Sequence, residues 1–372
     1  MKRFFLSMFV VVFMVASVGV AGAAQKYELK IQTAFANASM YYKTLERLKQ
    51  YLEGLSQNRI KVELYPDGAV VKSPEIFDSV SQGIINGGQC WTHWASGKHP
   101  AGILFSAPPG GNGMGLDQLS VMAWFWEGDG HALLNEYFQQ HAKVDLRAWA
   151  VLPMGPEPFG WFNKKYNTVA EINKAKFRSP PGVPAEVFKE MGMPVVSMPG
   201  GDIVPAAQRG VIDAGEWIGP GEDITMGFHT VWKHYYLQGL HQVISIGDVY
   251  INKKWYDALP ADLKYAIELS MKATVTDQLL TNVSVNSKAL EILVRDHGVT
   301  IEETPAEYYP MYMAAAKKVL AKYLPDPFFK KVYDSQMAWA KLTVPYQMRA
   351  NGLYYQMGKT AMGDGTVTDY KK

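Results

Sequence analysis

The order strand, helix, strand near the start of the chain constrains its architecture more than any other feature. Tyr27, Leu29, Ile31, Thr33 and Phe35 alternate with Glu28, Lys30 and Gln32, the period of two that marks a strand with one buried face. Between Tyr42 and Leu55, Leu45, Leu48, Tyr51, Leu52 and Leu55 recur at helical spacing. Arg59 to Tyr65 alternates again, with Ile60, Val62 and Leu64 on one side and Lys61 and Glu63 on the other. Strands joined in this way pair in parallel, and parallel sheets are covered by helices, so the fold class is α/β. Ser73 and Pro74 read as the N-cap and first turn of a further helix ending near Gly83. The glycine- and proline-rich stretch from Gly97 to Gly115 reads as loop. Near residue 153 a second series of short strands and helices begins. Past Asp257 the pattern becomes helical: Pro260 to Val294, Pro305 to Tyr323, and Asp326 to about Met357.

Length agrees with two lobes. Lys2 and Arg3, then apolar Phe4 to Val20, then Ala21-Gly22-Ala23-Ala24, have the three-part form of a cleaved export signal over 1–24. No later window is apolar enough to span a bilayer. The expected compartment is therefore the periplasm. Hydrophobic residues make up 48% and charged residues 19% of the 372 positions, enough apolar surface to exclude intrinsic disorder. With 37 basic against 35 acidic residues there is no surplus charge for a phosphate backbone, and no nucleic-acid partner is expected. The single cysteine, Cys90, excludes an internal disulfide and a cysteine-rich metal site, and its apolar neighbourhood reads as that of an inert buried thiol.

Enzyme motifs are missing. There is no G-x-S-x-G, P-loop, H-E-x-x-H or dinucleotide fingerprint. His229, His234 and His241 are spaced by five and seven, which does not stack them on one helical face, so they read as surface or packing histidines. Two stretches carry expensive residues in tight arrangements. In Lys176-Phe177-Arg178-Ser179-Pro180-Pro181-Gly182 a strand delivers Arg178 to a loop, where it is either a solvated arginine or a clamp for a carboxylate. In the run from Val211 to Gly221, Glu216 and Trp217 precede Ile218-Gly219-Pro220. They read either as a cap beside a core tryptophan or as a cation ligand beside a pocket wall.

Those stretches also carry a resemblance. SQNRIKVELYPDGAVVKSPEIFDSVSQGIING, GWFNKKYNTVAEINKAKFRSPPG, PVVSMPGGDIVPAAQRGVIDAGEWIGPGEDITMGFHTVWKHYY and WYDALPADLKYAIE follow one another in family order across nearly all of the mature chain. The sequence resembles the solute-binding subunits of TRAP transporters (the DctP family), in the branch that binds 2-oxo and 2-hydroxy monocarboxylates, and EWIGP is its most specific motif. The resemblance implies a two-lobed periplasmic-binding-protein fold of type II-like form, with hinge-crossing strands and a long C-terminal helical region. The implied division is 25–152 plus 218–254 for the first lobe, 153–217 plus 255–304 for the second, and 305–372 for C-terminal helices. The implied role is a non-enzymatic receptor that passes a small organic acid to TRAP membrane subunits.

By the same resemblance Arg178 pairs with the ligand's carboxylate, and Glu216, Trp217 and Glu157 ligate a bridging Ca²⁺ or Na⁺, with no organic cofactor. Gln242 falls near the metal by a looser match, and Trp94 and Phe159 belong to the pocket wall with Trp217 and Glu157. Glu157 stands where the branch has glutamine. Two glutamates facing one site repel, and a divalent ion compensates them better than sodium. The competing reading is that Pro156 and Pro158 turn Glu157 away. Trp91, Trp94, Phe159, Trp161 and Trp217 together leave room for an aryl-substituted ligand. The apolar C-terminal region suits a helix exchanged within a homodimer. A binding protein that feeds a sensor kinase is the alternative, and an exported metal-dependent hydrolase a remote one.

Overall fold

The structure, a computed structural model, describes residues 25–362. The expected export signal lies outside the described residues.

Two sheets organise the chain. The first contains β1 (Tyr27–Thr33), β2 (Ile60–Tyr65), β3 (Gly87–Cys90), β4 (Leu146–Pro153) and β10 (Ile246–Asn252), in the order β2-β1-β3-β10-β4. The β1 and β2 strands pair in parallel from Tyr27↔Ile60 to Gln32↔Tyr65, joined by helix α1 (Met40–Leu55). The second sheet holds β5 (Gly160–Phe162), β6 (Phe177–Arg178), β7 (Val195–Val196), β8 (Ala214–Gly215), β9 (His234–Tyr236) and β11 (Thr300–Glu302), in the order β11-β9-β5-β8-β6-β7. Only β2 alternates clearly, burying Ile60 and Val62; β3, β4, β5 and β10 are buried nearly throughout, as strands of a sheet covered on both faces are.

The chain crosses between the sheets twice in the region of the site: from β4 to β5 through residues 154–159, and from β9 to β10 through residues 237–245. The expected first-lobe segment 218–254 therefore divides between the lobes, since His234–Tyr236 belongs to the second sheet and Ile246–Asn252 to the first. The β9 strand is too short to show a sequence period, and its pairing with β5 and β11 reveals its lobe. Gln118 ties the crossings together, its Oε1 accepting from Gly155 N at 2.8 Å and Ser245 N at 3.2 Å. Met154 N donates to Ser245 O at 2.8 Å.

A 35-residue helix, Ala261–Arg295, runs along both lobes, packing on α1, on β4 and on the helix Pro220–Met226 that follows β8. Two local expectations differ. Ser73 is not an N-cap; its hydroxyl bonds Asp67, and the turn Ser73–Glu75 begins after Lys72. Gly97–Gly115 is not all loop, because Ile103, Leu104 and Phe105 are apolar enough to bury a short helix, Gly102–Ser106, among the glycines. The last helix, Pro327–Met362, buries Phe328, Phe329, Val332 and Ala340 and then exposes its apolar residues, with Leu342 at 69% and Tyr346 at 70%. No helix among the described residues is long and apolar enough to cross a membrane.

Candidate functional site

Arg178 ends β6 and Glu216 follows β8, and these strands lie side by side in parallel, Arg178 opposite Gly215. The carboxyl ends of adjacent parallel strands are where open α/β sheets bind ligands. Arg178 is 5% exposed and Glu216 2%. The guanidinium donates through Nε and Nη2 to Met198 O at 3.2 and 3.0 Å, and through Nη1 to Glu216 O at 3.1 Å and to Glu216 Oε1. Backbone carbonyls thus orient the fork, and one N–H remains for an incoming group. The Trp217 ring lies beneath the guanidinium, its centroid 5.3 Å from Cζ. Gly200 permits this stacking, because a Cβ there would stand 2.6 Å from the ring edge.

The turn carrying Glu216 and Trp217 is shaped by Asp223. Its carboxylate accepts from Ile218 N at 3.2 Å, Gly219 N at 3.0 Å, Trp161 Nε1 at 2.8 Å and the Tyr235 hydroxyl at 2.8 Å. Burial raises its pKa to about 7 against the pull of those donors. Trp161 is consequently structural: it is fully buried and stacks on Tyr235 at 4.0 Å.

The two crossings bring the remaining charged groups. Glu157, from the first, is 3% exposed, and His241, from the second, is fully buried. Glu157 N donates to Gln242 O at 3.1 Å, which binds one crossing to the other. His241 Nε2 stands 3.7 Å from Glu216 Oε2 and 4.0 Å from Glu157 Oε2, and ligand atoms of all three residues lie within 4.8 Å of one another. Those separations exceed hydrogen bonds. Glu157 Oε2 and both His241 ring nitrogens are buried without a partner, and an unmet buried polar atom costs about 1–3 kcal/mol. Burial and, second, the Glu216 charge push the Glu157 carboxyl well above the usual carboxylate range, with the Ser245 hydroxyl opposing them. Two carboxylates and an imidazole around orphaned lone pairs are a donor set that fits a cation.

The prolines beside Glu157 do not turn it away from Glu216. Phe159 differs from expectation: it is fully buried among Phe162, Phe177, Phe188 and Tyr308 and belongs to the second-lobe core. Trp94 is 40% exposed and rests on Trp91 with centroids 4.7 Å apart. Gln242 takes part through its carbonyl. His241 escaped the sequence reading because its partners lie on distant segments, while spacing tests only its own. His234 pairs with Glu302 and His229 stacks on His297, so neither joins it. Tyr41 was missed as well. It stacks on Phe35 at 4.9 Å, its hydroxyl is buried and unpartnered, and burial together with Glu222 and Glu157 raises its pKa. Cys90 is fully buried, and burial followed by the Asp248 charge raises its pKa, which leaves the thiol inert.

The lobes are also joined across the cleft. Glu222 Oε1, from the helix after β8, accepts from Ser39 Oγ at 3.1 Å and Met40 N at 2.9 Å at the start of α1.

Comparison with known proteins identifies relatives of the chain. Residues 31–326 match the DctP model, described as bacterial extracellular solute-binding protein, family 7. The monocarboxylate 2-oxoacid-binding periplasmic protein of Nostoc sp. is 27% identical over 316 residues, 84% of this chain and 83% of that protein. A TRAP transporter solute-binding protein from Bordetella bronchiseptica, a mixed-occupancy dimer with calcium and picolinate in one active site, superposes with TM-score 0.83 at 23% identity, covering 91% of this chain and 99% of that one. A TRAP periplasmic solute-binding protein from Pseudoalteromonas atlantica, with sodium and pyruvate, superposes with TM-score 0.80 at 24% identity, covering 89% and 99%.

Proposed function

The chain belongs to the DctP family, family 7 of the bacterial extracellular solute-binding proteins, and from that premise we propose that it is the periplasmic receptor of a TRAP transporter for a small 2-oxo or 2-hydroxy monocarboxylate. The observation that carries this reading is Arg178, a buried guanidinium held by backbone carbonyls at the carboxyl ends of β6 and β8 with one N–H unspent. A forked donor in a dry cleft is suited to a carboxylate.

Glu157 and Glu216 would hold a cation facing Arg178, with Trp217 at the same turn. When bound, that cation offsets the two carboxylates and draws on the ligand's carboxylate and 2-oxo or 2-hydroxy oxygens. Arg178 orients the carboxylate, Trp217 shields the fork from water, and Tyr41 offers a hydroxyl from the first lobe. Phe35, Trp91 and Trp94 form an aromatic face on that lobe, with Phe35 and Trp91 centroids 5.2 Å apart, which suits a planar or aryl-substituted acid. The bonds from Ser39 and Met40 to Glu222 hold the lobes together, and breaking them accompanies release to the membrane subunits. The exposed apolar end of the last helix suits a homodimer.

The test is calorimetry and thermal shift with pyruvate, longer 2-oxo acids, 2-hydroxy acids and picolinate, each with and without added cation. Stabilisation by at least one 2-oxo or 2-hydroxy acid is expected. A flat response across the panel refutes the assignment.

A further inference from the structure

The relatives described above hold calcium or sodium, ions that take oxygen ligands. This chain puts an imidazole between its two carboxylates. Accepting the cation reading of the preceding section, we propose that His241 is a direct ligand through Nε2 and that the site selects an imidazole-favouring divalent ion, such as zinc or nickel, over calcium and sodium.

Three observations carry this. First, His241 Nε2 faces both carboxylates, at 3.7 Å from Glu216 Oε2 and 4.0 Å from Glu157 Oε2. Two atoms bound to one ion at about 2.0–2.4 Å and a right or tetrahedral angle stand roughly 3–4 Å apart. The spacing is therefore too long for hydrogen bonds and suitable for shared coordination. Second, Nε2 and Glu157 Oε2 are both buried and unpartnered, so a single ion between the residues satisfies them together. Third, the imidazole is fixed: it is fully buried, packed 5.6 Å from the Phe188 ring, and carried on the crossing whose next carbonyl accepts from Glu157 N.

Ligand chemistry then sets the ion. Carboxylates alone suit calcium, magnesium and manganese, whereas imidazole suits zinc, nickel, copper and iron. Two carboxylates and one imidazole leave a fourth position open to the ligand, as three-ligand zinc sites do, and expansion to five-coordination would admit its second oxygen. His241 Nδ1 has no acceptor, so the site lacks the oriented second hydrogen bond of the tightest histidine sites. A moderate affinity follows, appropriate to an ion that travels with a releasable ligand.

The experiment uses the mature protein stripped with chelator. Titration with Zn²⁺, Mn²⁺ and Ca²⁺ is followed by calorimetry and by the ¹⁵N resonances of labelled histidine. Zn²⁺ is expected to shift the His241 Nε2 signal and to bind at least tenfold more tightly than Ca²⁺. In His241→Gln, whose amide oxygen suits calcium, the Zn²⁺ to Ca²⁺ affinity ratio is expected to fall at least tenfold. An unmoved imidazole signal at Zn²⁺ saturation overturns the proposal, as does an unchanged ratio in a folded variant. The labelled unmodified protein keeps the test decisive should His241→Gln fail to fold. Calorimetry of the acid panel with each ion separates the two readings. If no acid binds with any ion, the receptor assignment fails, while the imidazole signal still reports on the metal ligand.

Discussion

Arg178→Lys keeps the positive charge and removes the fork, so it isolates the geometry on which carboxylate recognition depends. In the structure four hydrogen bonds leave the guanidinium: two to Met198 O, one to Glu216 O and one to Glu216 Oε1. A ligand carboxylate takes the remaining Nη2 proton and competes with Glu216 for Nη1. An ammonium has three donors on a single atom and cannot reach both carbonyls while presenting two parallel bonds. Charge-assisted bonds are worth about 1.5–3 kcal/mol each. Losing the equivalent of one to two of them weakens binding by roughly 2–5 kcal/mol, or about 30- to 4,000-fold in Kd. The assay is calorimetry with the tightest acid of the panel at fixed cation concentration, beside thermal unfolding of the ligand-free protein. The free variant is expected to stay folded, because lysine still offsets the buried Glu216, whereas Arg178→Ala leaves that carboxylate unpaired at a cost of about 3–5 kcal/mol. A Kd for Arg178→Lys within threefold of the parent would show that the fork does not hold the ligand, and the site assignment would fall with it.

Other outcomes follow from the same contacts. Glu222→Ala removes the acceptor shared by Ser39 and Met40 without touching the ligand; a several-fold loss of affinity with a more open scattering profile is expected, and unchanged values refute the clasp. Asp248 is fully buried, its Oδ2 accepting from Thr92 N at 3.1 Å and Thr92 Oγ1 at 2.6 Å, and burial raises its pKa to about 7. A carboxyl whose folded pKa exceeds its unfolded value of 3.8 favours folding most below about pH 4 and loses that contribution as pH rises through about 7. Asp248→Asn should therefore flatten the stability profile over that window by up to roughly 4 kcal/mol; denaturant melts at pH 4, 5.5 and 7.5 check it, and a parallel profile counts against it. Removing residues 345–372 takes away much of the exposed apolar helix end, including Tyr346 and Leu353 at 70% and 65% exposure. Light scattering should then report a dimer for the full mature chain and a folded monomer for the truncated one; a full-length monomer at micromolar concentration refutes dimerisation.

Periodicity was enough to read most of the framework. The parallel pairing of Tyr27–Thr33 with Ile60–Tyr65 and the long helices are written in local patterns, because a strand or helix with one buried face must repeat its apolar residues at that element's own period. Arg178 and Glu216 were legible for a different reason: each sits in a short unusual motif, and the resemblance ranked those motifs. Three things depended on the tertiary fold. The β9 strand joined the second sheet by pairing, with too few residues to carry a pattern. Phe159 went to the core while Glu157, two residues earlier, faced Glu216, because the crossing is irregular backbone without a repeat. His241 met Glu157 across 84 positions, a proximity created by two hinge segments lying together. Sequence spacing measures distance along the chain, and this site is built from distances across it.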